Sequence, residues 1–253
     1  MAQLAITADK PAMSAAAAER ITAIVRSAIA SRGAAAVALT GGGSPDLLYE
    51  FLADANRPWR ERIDWTHVHL YWSDERAVPP DHADSNFGLA NRLLIRHVPV
   101  PETQVHRIRG ELSPSDAGHL YDTLLRQRRQ TANPLFDVML LGIGANAHIA
   151  SIFPDSPLLA PAPADSAAPL ATGVYVPEIA QWRITMTPDA VLDSAAIVMI
   201  ASGASKAEAL AAAVEGPMDI RRYPAQLLRA AANRVEWIID SAASARLRGA
   251  PPG

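Results

Sequence analysis

His148 stands in the stretch GIGANAHIASIFP (residues 142–154), directly after a glycine-broken apolar run. The ordinary pKa of imidazole lies close to neutrality, so a histidine held at the mouth of a sheet can act as a general base. Asn146 lies two positions upstream, where a carboxylate that orients the ring would be expected. An amide oxygen can accept the ring N–H but supplies no negative charge. The pattern predicts a helix opening near residue 148, whose dipole would disfavour the imidazolium and lower its pKa. Taken alone, a histidine in such a place is more often one that packs and satisfies its hydrogen bonds internally.

Three more polar clusters follow apolar runs. In TGGGSP (40–45), Gly41, Gly42 and Gly43 let backbone N–H groups approach an oxyanion, and Ser44 adds a hydroxyl before a helix. The spacing is neither a Walker loop nor GxGxxG, and a tight strand–helix turn explains these residues equally well. In SDERAVPP (73–80), Arg76 has the planar fork that grips phosphate or carboxylate, although three adjacent charges also read as a solvated loop. In SGASK (202–206), Lys206 is either an exposed lysine opening a helix or a second cation for an anion. His67 and His69 alternate on an expected strand, but no third ligand has a convincing spacing, so no metal is predicted.

The elements that would position these clusters alternate between buried strand and helix. Short apolar runs at 34–39, 67–74, 136–144, 195–202 and 234–240 read as strands, and WRITMT (182–187) as a partly exposed one. Helices are expected over the Ala-rich residues 11–31 and over 46–52, the latter capped by Ser44 with Pro45 at its first position. Further helices are expected over 85–95, capped by Ser85 or Asn86, over 113–130 with Leu120, Leu124 and Leu125 on the apolar face, and after Lys206. Such alternation predicts a single α/β domain over residues 1–248, with a doubly wound, mostly parallel sheet flanked by helices. Residues 154–171 form a Pro/Ala-rich loop able to border a cleft, and 249–253 a flexible tail. In such sheets ligands gather beyond the carboxyl ends of the strands, where all four clusters fall.

Composition narrows the function. Of 253 residues, 49% are hydrophobic and 19% charged, as in ordinary globular proteins, and the net charge of −3 argues against a nucleic-acid surface. No apolar stretch reaches the roughly 18 residues of a membrane span, and Asp9, Lys10, Glu19 and Arg20 interrupt the Ala-rich start, so no signal core is expected. The absence of cysteine excludes thiolate chemistry and fits a reducing, cytoplasmic location. The Ala-rich helix faces carry no pattern that assigns an oligomeric state.

Together the clusters resemble the 6-phosphogluconolactonase family, which is related to the glucosamine-6-phosphate deaminases. LTGGGSP is similar to the family's glycine turn, WSDERAVPPDHADSNFG to its acidic–arginine segment, and FDVMLLGIGANAHIASIFPDS to its histidine signature. RITMT, SGASKAEAL and YPAQLL follow in the family's order, so the likeness runs from about residue 35 to 240. The resemblance implies Rossmann-like layers and hydrolysis of 6-phospho-D-glucono-1,5-lactone to 6-phosphogluconate, in the oxidative branch of the pentose phosphate pathway, without a cofactor. It implies His148 as the base, Arg76 and Lys206 as substrate-binding cations, and Gly41–Ser44 as a phosphate-contacting loop. Three departures stand out: Ala145-Asn146-Ala147 where Pro-Asp-Gly is usual, Gly43 where serine is common, and PEIAQW in place of a proline-rich approach to RIT. The alternatives are a deaminase or isomerase of the amino-sugar phosphate, disfavoured because HIASIFP carries no acid, and a non-catalytic sugar-phosphate binder.

Overall fold

The computed structural model describes residues 3–160 and 168–248. The expected tail and the middle of the Pro/Ala-rich loop, 161–167, lie outside these described residues. In chain order the first half forms β1 (Gln3–Thr7), α1 (Lys10–Arg32), β2 (Ala35–Leu39), α2 (Asp46–Ala53), α3 (Pro58–Arg62), β3 (Val68–Trp72), β4 (Asp74–Arg76), α4 (Asn86–Leu93) and α5 (Pro114–Thr131). The second half forms β5 (Val138–Gly142), β6 (Ala171–Val176), β7 (Gln181–Met186), α6 (Pro188–Leu192), β8 (Ile197–Ala201), α7 (Ala207–Val214), β9 (Val235–Asp240) and α8 (Ser241–Ser244).

Six strands make one all-parallel sheet in the order β1-β9-β8-β5-β2-β3. Its inner strands are continuous apolar runs, buried along β2 and β8, as expected where both faces of a sheet are covered. Helix α1 turns Met13, Ala17, Ile21, Val25 and Ala28 towards the core, a spacing of three and four that lines one helical face. Asp9 caps its first turn, and Gly33 ends it in a left-handed conformation at φ 82°. Chain order leaves β2 towards β3 on one side and returns to β5 on the other. The reversal opens a crevice between the carboxyl ends of β2 and β5.

Several local expectations change. The expected strand at 67–74 splits: β3 ends at Trp72, and β4 leaves to join β7 and β6 in a separate antiparallel sheet ordered β4-β7-β6. Sequence reasoning missed β1 and β6. Helix α2 has Pro45 rather than Ser44 at its cap position, with no side-chain cap bond, whereas Ser85 accepts the Gly88 N–H and caps α4. Leu120 is 48% exposed on α5, off the face that carries buried Leu125. No helix opens at residue 148; the chain there is a succession of turns with a single bridge between Ile149 and Ile152.

Candidate active site

The turns after β5 have a local cause. The Asn146 side-chain oxygen accepts the His148 backbone N–H at 3.2 Å, a turn that competes with helix formation. Ala147 and Ala150 then take left-handed conformations at φ 64° and 46°, each costing a non-glycine residue about 1–2 kcal/mol. Backbone bonds from Gly144 N–H to His148 O and from Ala147 N–H to Gly144 O close the loop. The imidazole is held between two neighbours. Phe153 stacks on it with ring centroids 4.0 Å apart, and a Cβ on Gly144 would lie 2.1 Å from Nδ1, so only glycine fits there.

The same amide oxygen lies 2.6 Å from His148 Nδ1. Because it also accepts a backbone N–H, which can only donate, this atom is the amide oxygen and Nδ1 must carry the ring proton. Nε2 therefore holds the lone pair of the neutral ring. Burial lowers the imidazole pKa to about 4, with Lys206, Arg183 and Arg76 adding to the effect and the Asp74 carboxylate opposing it. The dipole expected from the sequence is replaced by desolvation and neighbouring cations.

A cleft of about 630 Å³ opens over the switch point and is lined by all eight residues anticipated from sequence: Gly41, Gly42, Gly43, Ser44, Arg76, Asn146, His148 and Lys206. Gly41 lies so close to Asn86 that a Cβ would fall 1.7 Å from its amide oxygen. Lys10 fastens this loop by donating to the Gly43 carbonyl at 2.8 Å while pairing with Asp46 at 2.6 Å. Asp240 accepts from Ser202 Oγ and the Gly203 N–H, fixing the turn that carries Lys206. Burial lowers the Lys206 pKa, and its ammonium has no carboxylate partner among the described residues.

Sequence reasoning missed Arg183. The antiparallel register sets it directly opposite Arg76. Like charges at directly paired positions destabilise a sheet, so their retention beside a cleft points to an anion that relieves them. Burial lowers the Arg183 pKa, and the Arg76 charge lowers it further. Its signal was the one charged residue within WRITMT, the strand expected at 182–187. The acidic pair at 74–75 serves structure instead: Asp74 accepts Ser151 Oγ at 2.6 Å, and buried Glu75 accepts backbone N–H groups of Asn86 and Phe87 at the start of α4. Glu178 also enters the cleft, receiving the Asn146 Nδ2 group at 3.0 and 2.8 Å. Nothing in the sequence links it to Asn146, which lies 32 positions away.

The other histidines lie outside the cleft. His67 belongs to a short turn before β3 and bonds Asp64, so it does not share the strand face with His69 as expected. His69 Nδ1 instead meets His106 Nε2 at 3.0 Å.

Comparison with known proteins adds a second line. A family model described as glucosamine-6-phosphate isomerases/6-phosphogluconolactonase matches residues 8–237. The chain is 35% identical over 249 residues to the 6-phosphogluconolactonase of Mycobacterium tuberculosis, covering 94% of this chain and 96% of that one. It is 33% identical over 207 residues to the 6-phosphogluconolactonase of Haemophilus influenzae, covering 82% and 85%. The crystal structure of 6-phosphogluconolactonase from Leishmania guyanensis superposes with a TM-score of 0.81 at 26% identity, covering all of both chains.

Proposed function

The chain belongs to the glucosamine-6-phosphate isomerase/6-phosphogluconolactonase family, and on that premise we propose that it hydrolyses 6-phospho-D-glucono-1,5-lactone to 6-phosphogluconate with His148 as the base. The observation that carries the mechanism is the His148 imidazole, tied at Nδ1 to Asn146 and free at Nε2 in a cleft shared with three cations. Nε2 takes a proton from water as the water oxygen bonds to the lactone carbonyl carbon. The tetrahedral oxyanion then collapses, the bond to the ring oxygen breaks, and the imidazolium returns its proton to that oxygen as it leaves as a hydroxyl. The product acid ionises in solution. Phosphate held by the cations and the Gly41–Ser44 turn supplies remote binding energy that positions the carbonyl. Base catalysis contributes roughly 10²–10⁴-fold, enough to matter for an ester already activated as a lactone. The reading assigns the protein to the cytoplasm, where its sugar phosphate substrate is retained.

The deciding experiment follows loss of freshly prepared lactone, with the spontaneous rate subtracted. Acceleration in proportion to protein is expected. No acceleration together with tight binding of 6-phosphogluconate would make the protein a binder, and ammonia release from glucosamine 6-phosphate would make it a deaminase.

A further inference from the structure

A neutral histidine serves as a base only if its lone pair faces the reacting water, and here an amide decides that. Asn146 can present either its oxygen or its nitrogen to His148. With the oxygen inward, as observed, Nδ1 carries the proton and Nε2 is free. Turned over, the NH₂ group would require Nδ1 to accept, moving the ring proton to Nε2 and removing the base. The His148 backbone N–H selects against that turn with one bond of 3.2 Å. A stronger selection comes from the opposite side. Both Glu178 carboxylate oxygens accept from Asn146 Nδ2, at 3.0 and 2.8 Å. A carboxylate cannot donate, so a reversed amide would place its oxygen against two anionic oxygens.

We propose that Glu178 is a positioning residue that fixes the Asn146 amide and, through it, the catalytic tautomer of His148. The ionised group absent from position 146 is thus supplied one link further out. Glu178 also polarises the amide: drawing on Nδ2 increases the negative charge on Oδ1, which strengthens its bond to the ring N–H. The carboxylate sits on a short turn, Pro177–Ile179, immediately before β7, the strand that carries Arg183. It is exposed, so its replacement leaves the core intact.

The proposal rests on the lactonase reading for its kinetic test, but its spectroscopic test does not. Glu178→Gln is expected to lower kcat about 5–10-fold with KM nearly unchanged, a loss on the scale of one charge-assisted hydrogen bond at a solvated site. In an Asn146→Asp background a carboxylate meets Nδ1 directly, and Glu178 becomes a repelling neighbour. There Glu178→Gln should leave kcat unchanged or raise it. A merely structural Glu178 would lower activity equally in both backgrounds, which would overturn the proposal. Independently, ¹⁵N chemical shifts of the His148 ring at pH 7 should report protonated Nδ1 in the wild type and a mixed tautomer in Glu178→Gln. An unchanged tautomer would also overturn it. If the wild type failed to turn over lactone while the tautomer still shifted, the reaction would be wrong and the role of Glu178 correct.

Discussion

His148 in the cleft and the His69–His106 pair beside β3 share one electrostatic property and differ in almost every other. Burial is the first cause of a lowered pKa in all three, and it brings both His148 and His106 to about 4. In the pair each ring spends one nitrogen on the other: His69 Nδ1 lies 3.0 Å from His106 Nε2, and Tyr71 stacks on His106 at 4.5 Å. One ring must donate and the other accept, so protonating the acceptor breaks the bond, while the donor can take a proton on its other nitrogen and still donate. His148 likewise spends one nitrogen, on Asn146, but it lines a cleft bordered by Arg76, Arg183 and Lys206, which neither ring of the pair reaches. A depressed pKa therefore reports burial in both places. What separates a base from a packed histidine is an uncommitted nitrogen beside a cavity that can hold the substrate.

The contrast is broken most directly by exchanging the rings for inert side chains. His148→Ala should lower lactone hydrolysis by roughly 10²–10⁴-fold, the contribution of a positioned base. His106→Gln should leave the rate within about twofold, because no atom of the pair borders the cleft. Comparable losses in the two purified variants, with folding checked by circular dichroism, would erase the distinction.

Ligand should separate the two histidines further. In the free protein both are expected to titrate with midpoints near 4. Lys206, Arg183 and Arg76 help to hold the His148 value down, and a bound phosphate group would offset their charge. Adding 6-phosphogluconate should therefore raise the His148 midpoint by about one unit or more while His106 stays where it was. The substrate's own charge would then bring the base into a useful range as it binds. NMR titration of the ring resonances with and without the product is the measurement. A His148 midpoint that ignores the ligand would separate the cations from the base.

The frame and the cleft were legible for different reasons. Continuous apolar runs such as AAVAL and IVMIA identify buried parallel strands locally, and placing polar clusters at their ends requires no knowledge of pairing. That logic gathered Gly41–Ser44, Arg76, His148 and Lys206, all of which line one cleft. What it missed depends on register or on turns. Arg183 meets Arg76 only because β4 and β7 pair antiparallel in that alignment. The helix expected at His148 fails because the Asn146 side chain captures a backbone N–H, so the cause of the pKa shift changed even though its direction held. Two departures from the family pattern, Asn146 and the segment PEIAQW, looked unrelated along the chain. They meet in the Asn146–Glu178 contact.

The smallest effect expected concerns stability. His106 titrates near 4 in the folded protein and near its ordinary 6.5 when unfolded, so between those values the unfolded chain binds more protons. Its contribution is complete above about pH 6.5 and is lost as the pH falls towards 4. His106 is only partly buried, so solvent screening reduces that loss to about 1–2 kcal/mol. His106→Gln removes the titration while keeping a side chain able to bond His69. Urea denaturation at pH 7.5 and pH 4.5 should therefore show a narrower gap in stability for the variant than for the wild type, by about that amount. The same comparison for His148 would mix stability with the charges of the cleft, whereas His106 isolates the cost of charging a buried imidazole. An unchanged gap would mean that the pair relaxes on protonation and that its low pKa carries no folding energy.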